Sequence, residues 1–212
     1  MRRSECSLCF EELLPEESIM VAPFDTKDFR RTLGYLPTGV TVITTTDPFG
    51  RPVGMACNSF MSVSLNPPLV MLCVGNASAT LVDLRQSGGF CANILGSGQG
   101  QLCRQFSVKD IDRFAGVRWT RSAAGPELCD AIAWMSCSID VEHVAGDHVI
   151  LIAEVTALRV NQDEPEPLVF HRGVFGSFRE NAEPFAAGAS PRPGAGGAGA
   201  ARAASAAPST AG

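Results

Sequence analysis

Hydrophobic and polar positions along this chain fall into short blocks separated by turn residues. The clearest block is Met135-Ser136-Cys137-Ser138-Ile139-Asp140-Val141-Glu142, which alternates apolar and polar at every step. A period of two puts each set on its own face, so 131–144 is expected to be a strand with one buried and one wet face. Val144-Ala145-Gly146-Asp147-His148 is a compact turn, and the mostly apolar run 149–160 returns as the second arm of a hairpin. The β-branched run 38–46 reads as another strand. It is followed by the turn signal Asp47-Pro48-Phe49-Gly50 and an antiparallel return over 51–56. Continuous apolar character marks 69–74 and 90–95 as buried strands, and 168–170 with 174–178 close the ordered part.

Three stretches show helical signals instead. In 25–36, Phe29, Leu33 and Leu36 share a face, Asp25 or Thr26 serves as N-cap, and Pro37 ends the helix. Ser78 and Thr80 precede Leu81 to Arg85, with Asp83 three residues past Thr80 as in a capping box. Gly88-Gly89 breaks the chain, and 99–106 forms the third short helix.

Six or seven strands joined by short turns predict a mainly β fold, an antiparallel sheet closing into a Greek-key-like barrel with a few short helices. A doubly wound parallel fold needs regular strand–helix alternation, which is missing. Gly96-Ser97-Gly98-Gln99-Gly100 is glycine-rich but has the wrong spacing for a dinucleotide fingerprint.

Composition narrows this picture. The 212 residues carry a net charge of −5, which argues against nucleic acid as a partner, and no apolar run is long enough to span a bilayer. Residues 1–24 form an acidic arm with no secretion signal, so the chain is expected to be cytoplasmic. Most of the eight cysteines sit in apolar runs and are expected to be reduced. Cys6-Ser7-Leu8-Cys9 has the spacing of half a zinc site, but no second half exists and no metal is expected. From 182 to 212 the sequence is nearly all Ala, Gly, Pro and Ser, the composition of a disordered tail; 25–181 is left as the folded domain.

The stretch that stands out chemically is Asn58 to Pro68. It reads as a loop whose small hydroxyl and amide side chains can cradle a flat, neutral, polar-edged molecule, stiffened at its exit by Pro67-Pro68. The start of the 81–85 helix offers free N–H groups that suit a phosphate.

Several patches then occur in a telling order. They are Thr38-Gly39-Val40-Thr41-Val42-Ile43-Thr44; Asn58-Ser59-Phe60 with Ser62 to Pro68; Asn93-Ile94-Leu95 with Gln99; Asp112-Arg113-Phe114-Ala115-Gly116; and Gly146-Asp147-His148. Over about residues 29–178 the chain resembles the short-chain flavin reductase family, the reductase components of two-component monooxygenases. The resemblance implies an FMN-binding split β-barrel, a homodimer with its site at the subunit interface, and reduction of FMN or FAD by NADH or NADPH. Reduced flavin would pass to a separate oxygenase or halogenase.

Carried over by position, Thr41, Asn58, Ser59 and Ser64 fall in flavin-contacting segments. Ser78 and Thr80 match a phosphate-side patch, Asn93 and Gln99 lie near the ring or ribityl chain, and Arg172 is a candidate for a phosphate. His148 matches the histidine beside the nicotinamide. Where the family usually has a glycine five residues on, this chain has Ala153; where it usually has aromatic residues near 171–175, His171 and Phe175 stand in. The alternative functions are a flavin carrier with little turnover, or a barrel enzyme using bound flavin on its own organic substrate.

Overall fold

The computed structural model describes residues 23–161 and 166–179. The Cys6-Ser7-Leu8-Cys9 motif and the tail over 182–212 lie outside the described residues. A first helix, α1 (Thr26–Leu33), starts where the Asp25 carboxylate accepts from the N–H groups of Lys27 at 2.7 Å and Asp28 at 2.8 Å. It stops at Gly34, short of the expected Leu36. No residue of α1 is buried; Phe29, Leu33 and Leu36 are all more than half exposed.

Among the described residues twelve strands follow, all paired antiparallel: β1 (Thr38–Gly39), β2 (Thr41–Thr46), β3 (Pro52–Cys57), β4 (Met61–Leu65), β5 (Pro68–Gly75), β6 (Gly89–Ile94), β7 (Trp119–Arg121), β8 (Pro126–Leu128), β9 (Ala133–Ala145), β10 (His148–Val160), β11 (Leu168–His171) and β12 (Val174–Ser177). Two further helices are α2 (Ala79–Ser87) and α3 (Gly100–Ser107). The main sheet runs β3-β2-β6-β9-β10-β5-β4. Strands β5 and β6, consecutive in the chain apart from α2, are separated in the sheet by the β9–β10 hairpin. This is the mainly β, antiparallel fold expected from the strand pattern.

The period of two explains the core. On β2, Val42 packs with one cluster and Ile43 with the other; on β6, Cys91 and Phe90 divide the same way. The Ile43 side holds Leu72, Leu81, Leu84 and Leu151, so α2 covers that face. The Val42 side holds Phe106, Leu128, Trp134 and Leu168, so α3 and the β7–β8 hairpin cover the other. These two strands are buried on both faces; β6 is accordingly mostly apolar, and on β2 the hydroxyls of Thr41, Thr44 and Thr45 donate to backbone carbonyls. Each fully buried leucine or phenylalanine contributes roughly 1.5–3 kcal/mol.

The β7–β8 hairpin lies very close to β2. At Gly125, φ is +143°, and an added Cβ would sit 2.6 Å from the Thr44 carbonyl oxygen. Only glycine fits both the angle and the approach.

Two readings of the sequence need correction. The stretch 58–68 is a loop only over Asn58 to Phe60 and at the Asn66-Pro67 turn, because Met61–Leu65 is strand β4 and pairs with β5. The run 38–46 is interrupted at Val40, so that β1 pairs with β11 while β2 joins the main sheet.

Candidate functional site

Strand β5 organises the candidate site. On one side the main sheet ends in β4, and just before β4 the Ser59 hydroxyl continues the ladder. It accepts from Cys73 N–H at 3.0 Å and donates to the Cys73 carbonyl at 3.2 Å. On the opposite edge β5 pairs with β10, where His148 faces Gly75. Cys73 and Gly75 are two residues apart on one face of the strand, a step of roughly 7 Å. The 58–60 loop and the Gly146-Asp147-His148 turn therefore flank the same end of β5. They are 90 positions apart in sequence (148 − 58).

The imidazole of His148 is about half exposed. Its Nδ1–H donates to Asp147 Oδ1 at 2.8 Å, and Nε2 would lie 3.8 Å from a Cβ built on Gly75. A carboxylate only accepts, so this contact fixes the proton on Nδ1. The hydrogen bond and charge of the ring hold the Asp147 carboxyl below the usual carboxylate range. Asn76 supports the turn, with its N–H donating to Asp147 O at 3.0 Å and its side-chain amide to Gly146 O at 3.2 Å.

Beside the loop is a hollow of about 210 Å³. Asn58 is exposed at its rim. Val40, Ala56, Cys103 and the rings of Phe170 and Phe175 line it, with Ser107 and Cys57 at its edge; the Cys57 thiol turns to the other face of β3, 3.2 Å from Ser59 Oγ. Burial pushes the Cys103 thiol up in pKa, so it stays neutral and acts as apolar lining. Thr38, paired with Phe170, carries a buried hydroxyl oxygen with no hydrogen-bond partner, the one such side-chain atom among the described residues. A larger open groove of about 760 Å³ runs along the other side of α3 and includes Gln99.

The remaining residues singled out from sequence are placed as follows. Thr41 is buried, and its hydroxyl donates to Cys57 O at 2.9 Å, bracing the strand that leads into the loop. Ser64 lies half-buried on β4, opposite Leu69. Ser78 occupies the N-cap position of α2 but makes no capping bond; its hydroxyl turns toward Met55 Sδ at 3.8 Å. Thr80 is inside α2 on its buried face, so the expected capping box is not formed.

Asn93 is fully buried, and its amide is used up. Its Nδ2 donates to Val42 O and Thr44 Oγ1, both at 3.0 Å, and its Oδ1 accepts from Leu128 N–H at 2.7 Å. It latches the β7–β8 hairpin to the sheet and leaves the candidate set. Gln99 closes its own 3-10 turn, accepting from Gly96 N–H at 2.8 Å. Arg172, in the β11–β12 turn with φ of +50°, lies over the Tyr35 ring at 4.7 Å. Cys103 and Phe170 were missed, because nothing local in their sequence marks a cavity wall; Phe175 stands where the family's aromatic residues were expected.

Residues 33–179 match the flavin reductase like domain. The chain belongs to the flavin reductase family. As a member it is an oxidoreductase acting on flavin and nicotinamide nucleotides. It is 39% identical over 165 residues to the reductase subunit HsaB of a flavin-dependent monooxygenase from Rhodococcus jostii, covering 77% of this chain and 84% of that one. It is 36% identical to a flavin reductase (NADH) from Kitasatospora aureofaciens, covering 76% of this chain and 85% of the relative. Among solved flavin reductases, the Streptomyces globisporus NADH:FAD oxidoreductase SgcE6, in complex with NAD and FAD fragments, superposes with a TM-score of 0.70. Identity there is 34%, over 77% of this chain and all of that one.

Proposed function

We propose that the protein uses NADH or NADPH to reduce FMN or FAD and hands the reduced flavin to a separate monooxygenase or halogenase. The observation that carries this reading is the convergence of the 58–60 loop and the His148 turn on one end of β5. A bound flavin supplies the hydride acceptor, and the chain supplies binding and orientation.

The residues fit that task. Asn58 presents an amide donor and acceptor to a polar ring edge, and the hollow beside it presents apolar surface. Ser59 and Thr41 act behind the loop, tying it to Cys73 and Cys57. His148, oriented through Nδ1 by Asp147, leaves Nε2 available to hydrogen-bond the carboxamide of a nicotinamide. Ser64 and Arg172 remain candidates at the edges, and Ser78 is retained only as a helix-start position. Geometry that holds two rings in contact supplies much of the rate by making the step effectively unimolecular.

The homodimer also belongs to this proposal. Met61, Val63 and Leu65 on edge strand β4 and the apolar face of α1 stand exposed, as surfaces covered by a second copy do. Six described cysteines are free, in keeping with a reducing, cytoplasmic setting.

The test is direct. Purified protein is mixed with NADH or NADPH and excess FMN or FAD while absorbance of the reduced nicotinamide is followed. Turnover with at least one pair is expected. Tight flavin retention without oxidation of either nicotinamide would point to the carrier instead.

A further inference from the structure

One residue holds the peptide groups on both sides of Asp147. The side-chain amide of Asn76 donates to the Gly146 carbonyl at 3.2 Å, and the Asn76 backbone N–H donates to the Asp147 carbonyl at 3.0 Å. Each peptide is planar, so holding both carbonyls sets the backbone direction at Asp147. The carboxylate then meets His148 Nδ1 at 2.8 Å. The turn needs such a hold, because Gly146 has φ of +63° and glycine itself constrains the chain little.

Asn76 is itself fixed. It follows Gly75, the residue opposite His148 on β5. The Ser78 N–H donates to the Gly75 carbonyl at 2.9 Å and closes a tight turn into α2. The buried Leu81 and Leu84 root that helix in the core. The hold therefore runs from a packed helix, through one amide, to the imidazole.

Stability does not explain the contact. Asn76 and Gly146 are both exposed, so water would satisfy the Gly146 carbonyl nearly as well. What the amide adds is direction: it selects one orientation of the Gly146–Asp147 peptide and so one placement of the ring.

We propose that Asn76 is a positioning residue for His148 and, through it, sets the KM for the nicotinamide nucleotide. This rests on the reading that His148 faces the nicotinamide. It adds a residue 70 positions before Gly146, outside every motif of the sequence.

A double-mutant cycle in steady-state kinetics tests it. Asn76→Ala is expected to raise the KM for NADH or NADPH by about threefold to tenfold, the range of one neutral hydrogen bond. The kcat and the flavin Kd are expected to stay within about twofold. Asn76→Asp, which keeps the size and removes the donor, is expected to raise the KM at least as much. On a His148→Ala background, Asn76→Ala is expected to change nothing further, because the group it places is gone. The urea unfolding midpoint of Asn76→Ala is expected to match the wild type. An unchanged KM in both single variants, or an effect of Asn76→Ala that persists in full without His148, overturns the proposal and leaves the reductase standing. A wild-type protein that oxidises neither nicotinamide overturns the two together.

Discussion

The Ser59 hydroxyl engages both backbone groups of Cys73, accepting from the N–H and donating to the carbonyl. A side chain thus stands where the next residue of β4 would pair, and it anchors the 58–60 loop to the strand that also carries Gly75 opposite His148.

Ser59 and Asn58 are therefore expected to separate by phenotype. Ser59→Ala leaves two backbone groups of a half-buried residue unpaired and is expected to cost about 1–3 kcal/mol in urea unfolding. Asn58→Ala, at an exposed position, is expected to change stability by less than about 0.5 kcal/mol. It should raise the flavin Kd by about fivefold to tenfold, the equivalent of one lost hydrogen bond. If titration gives the same Kd for Asn58→Ala as for the wild type, the rim is not a contact.

Asn93 is a purely internal latch. Asn93→Leu removes the amide's hydrogen bonds, those to Val42 O and Thr44 Oγ1 among them, and leaves Leu128 N–H buried without a partner. A loss of about 3 kcal/mol or more is expected in denaturant unfolding. A near-neutral result would show that the hairpin finds other partners.

Asp47 gives the pH dependence. Burial alone would raise its pKa, but hydrogen bonds from Arg51 N–H, the Arg51 guanidinium and Phe49 N–H outweigh this and hold it below the usual range. A carboxyl depressed in the folded state stabilises fully above its unfolded pKa, about 4. That contribution is lost as pH falls through the folded value. The stability gap between wild type and Asp47→Asn is thus expected to be constant from neutrality to about pH 5 and to shrink below about pH 4. Unfolding midpoints measured across that range provide the check.

His148→Ala tests the nicotinamide side. It is expected to lower kcat/KM for the nicotinamide by about tenfold while the flavin Kd stays within about twofold. A changed flavin Kd with an unchanged kcat/KM would move His148 to the other substrate.

Much of the fold was legible because its signals are local. The alternation from Met135 to Glu142, the Gly146-containing turn and the β-branched run after Gly39 each fix an element without reference to the rest. Strand β4 was hidden by attention to its serines; Met61, Val63 and Leu65 alternate with them, and that period was available. The roles of Thr41, Ser59 and Asn93 were not legible in the same way. A hydroxyl or amide looks identical in sequence whether it faces a ligand or braces a strand, and only the fold shows where it is spent. The hollow is less legible still, since its walls come from the β1–β2 junction, β3, α3, β11 and β12.

Both tryptophans of the chain converge on one residue. Trp119 pairs with Leu128 across the β7–β8 hairpin, and the Trp134 indole donates to the Leu128 carbonyl at 2.8 Å. The Arg159 guanidinium lies 3.8 Å above the Trp134 ring. The molecule thus carries an intrinsic optical gauge on the hairpin that Asn93 fastens. Its ultraviolet emission, followed on flavin-free protein, is expected to shift when that fastening opens.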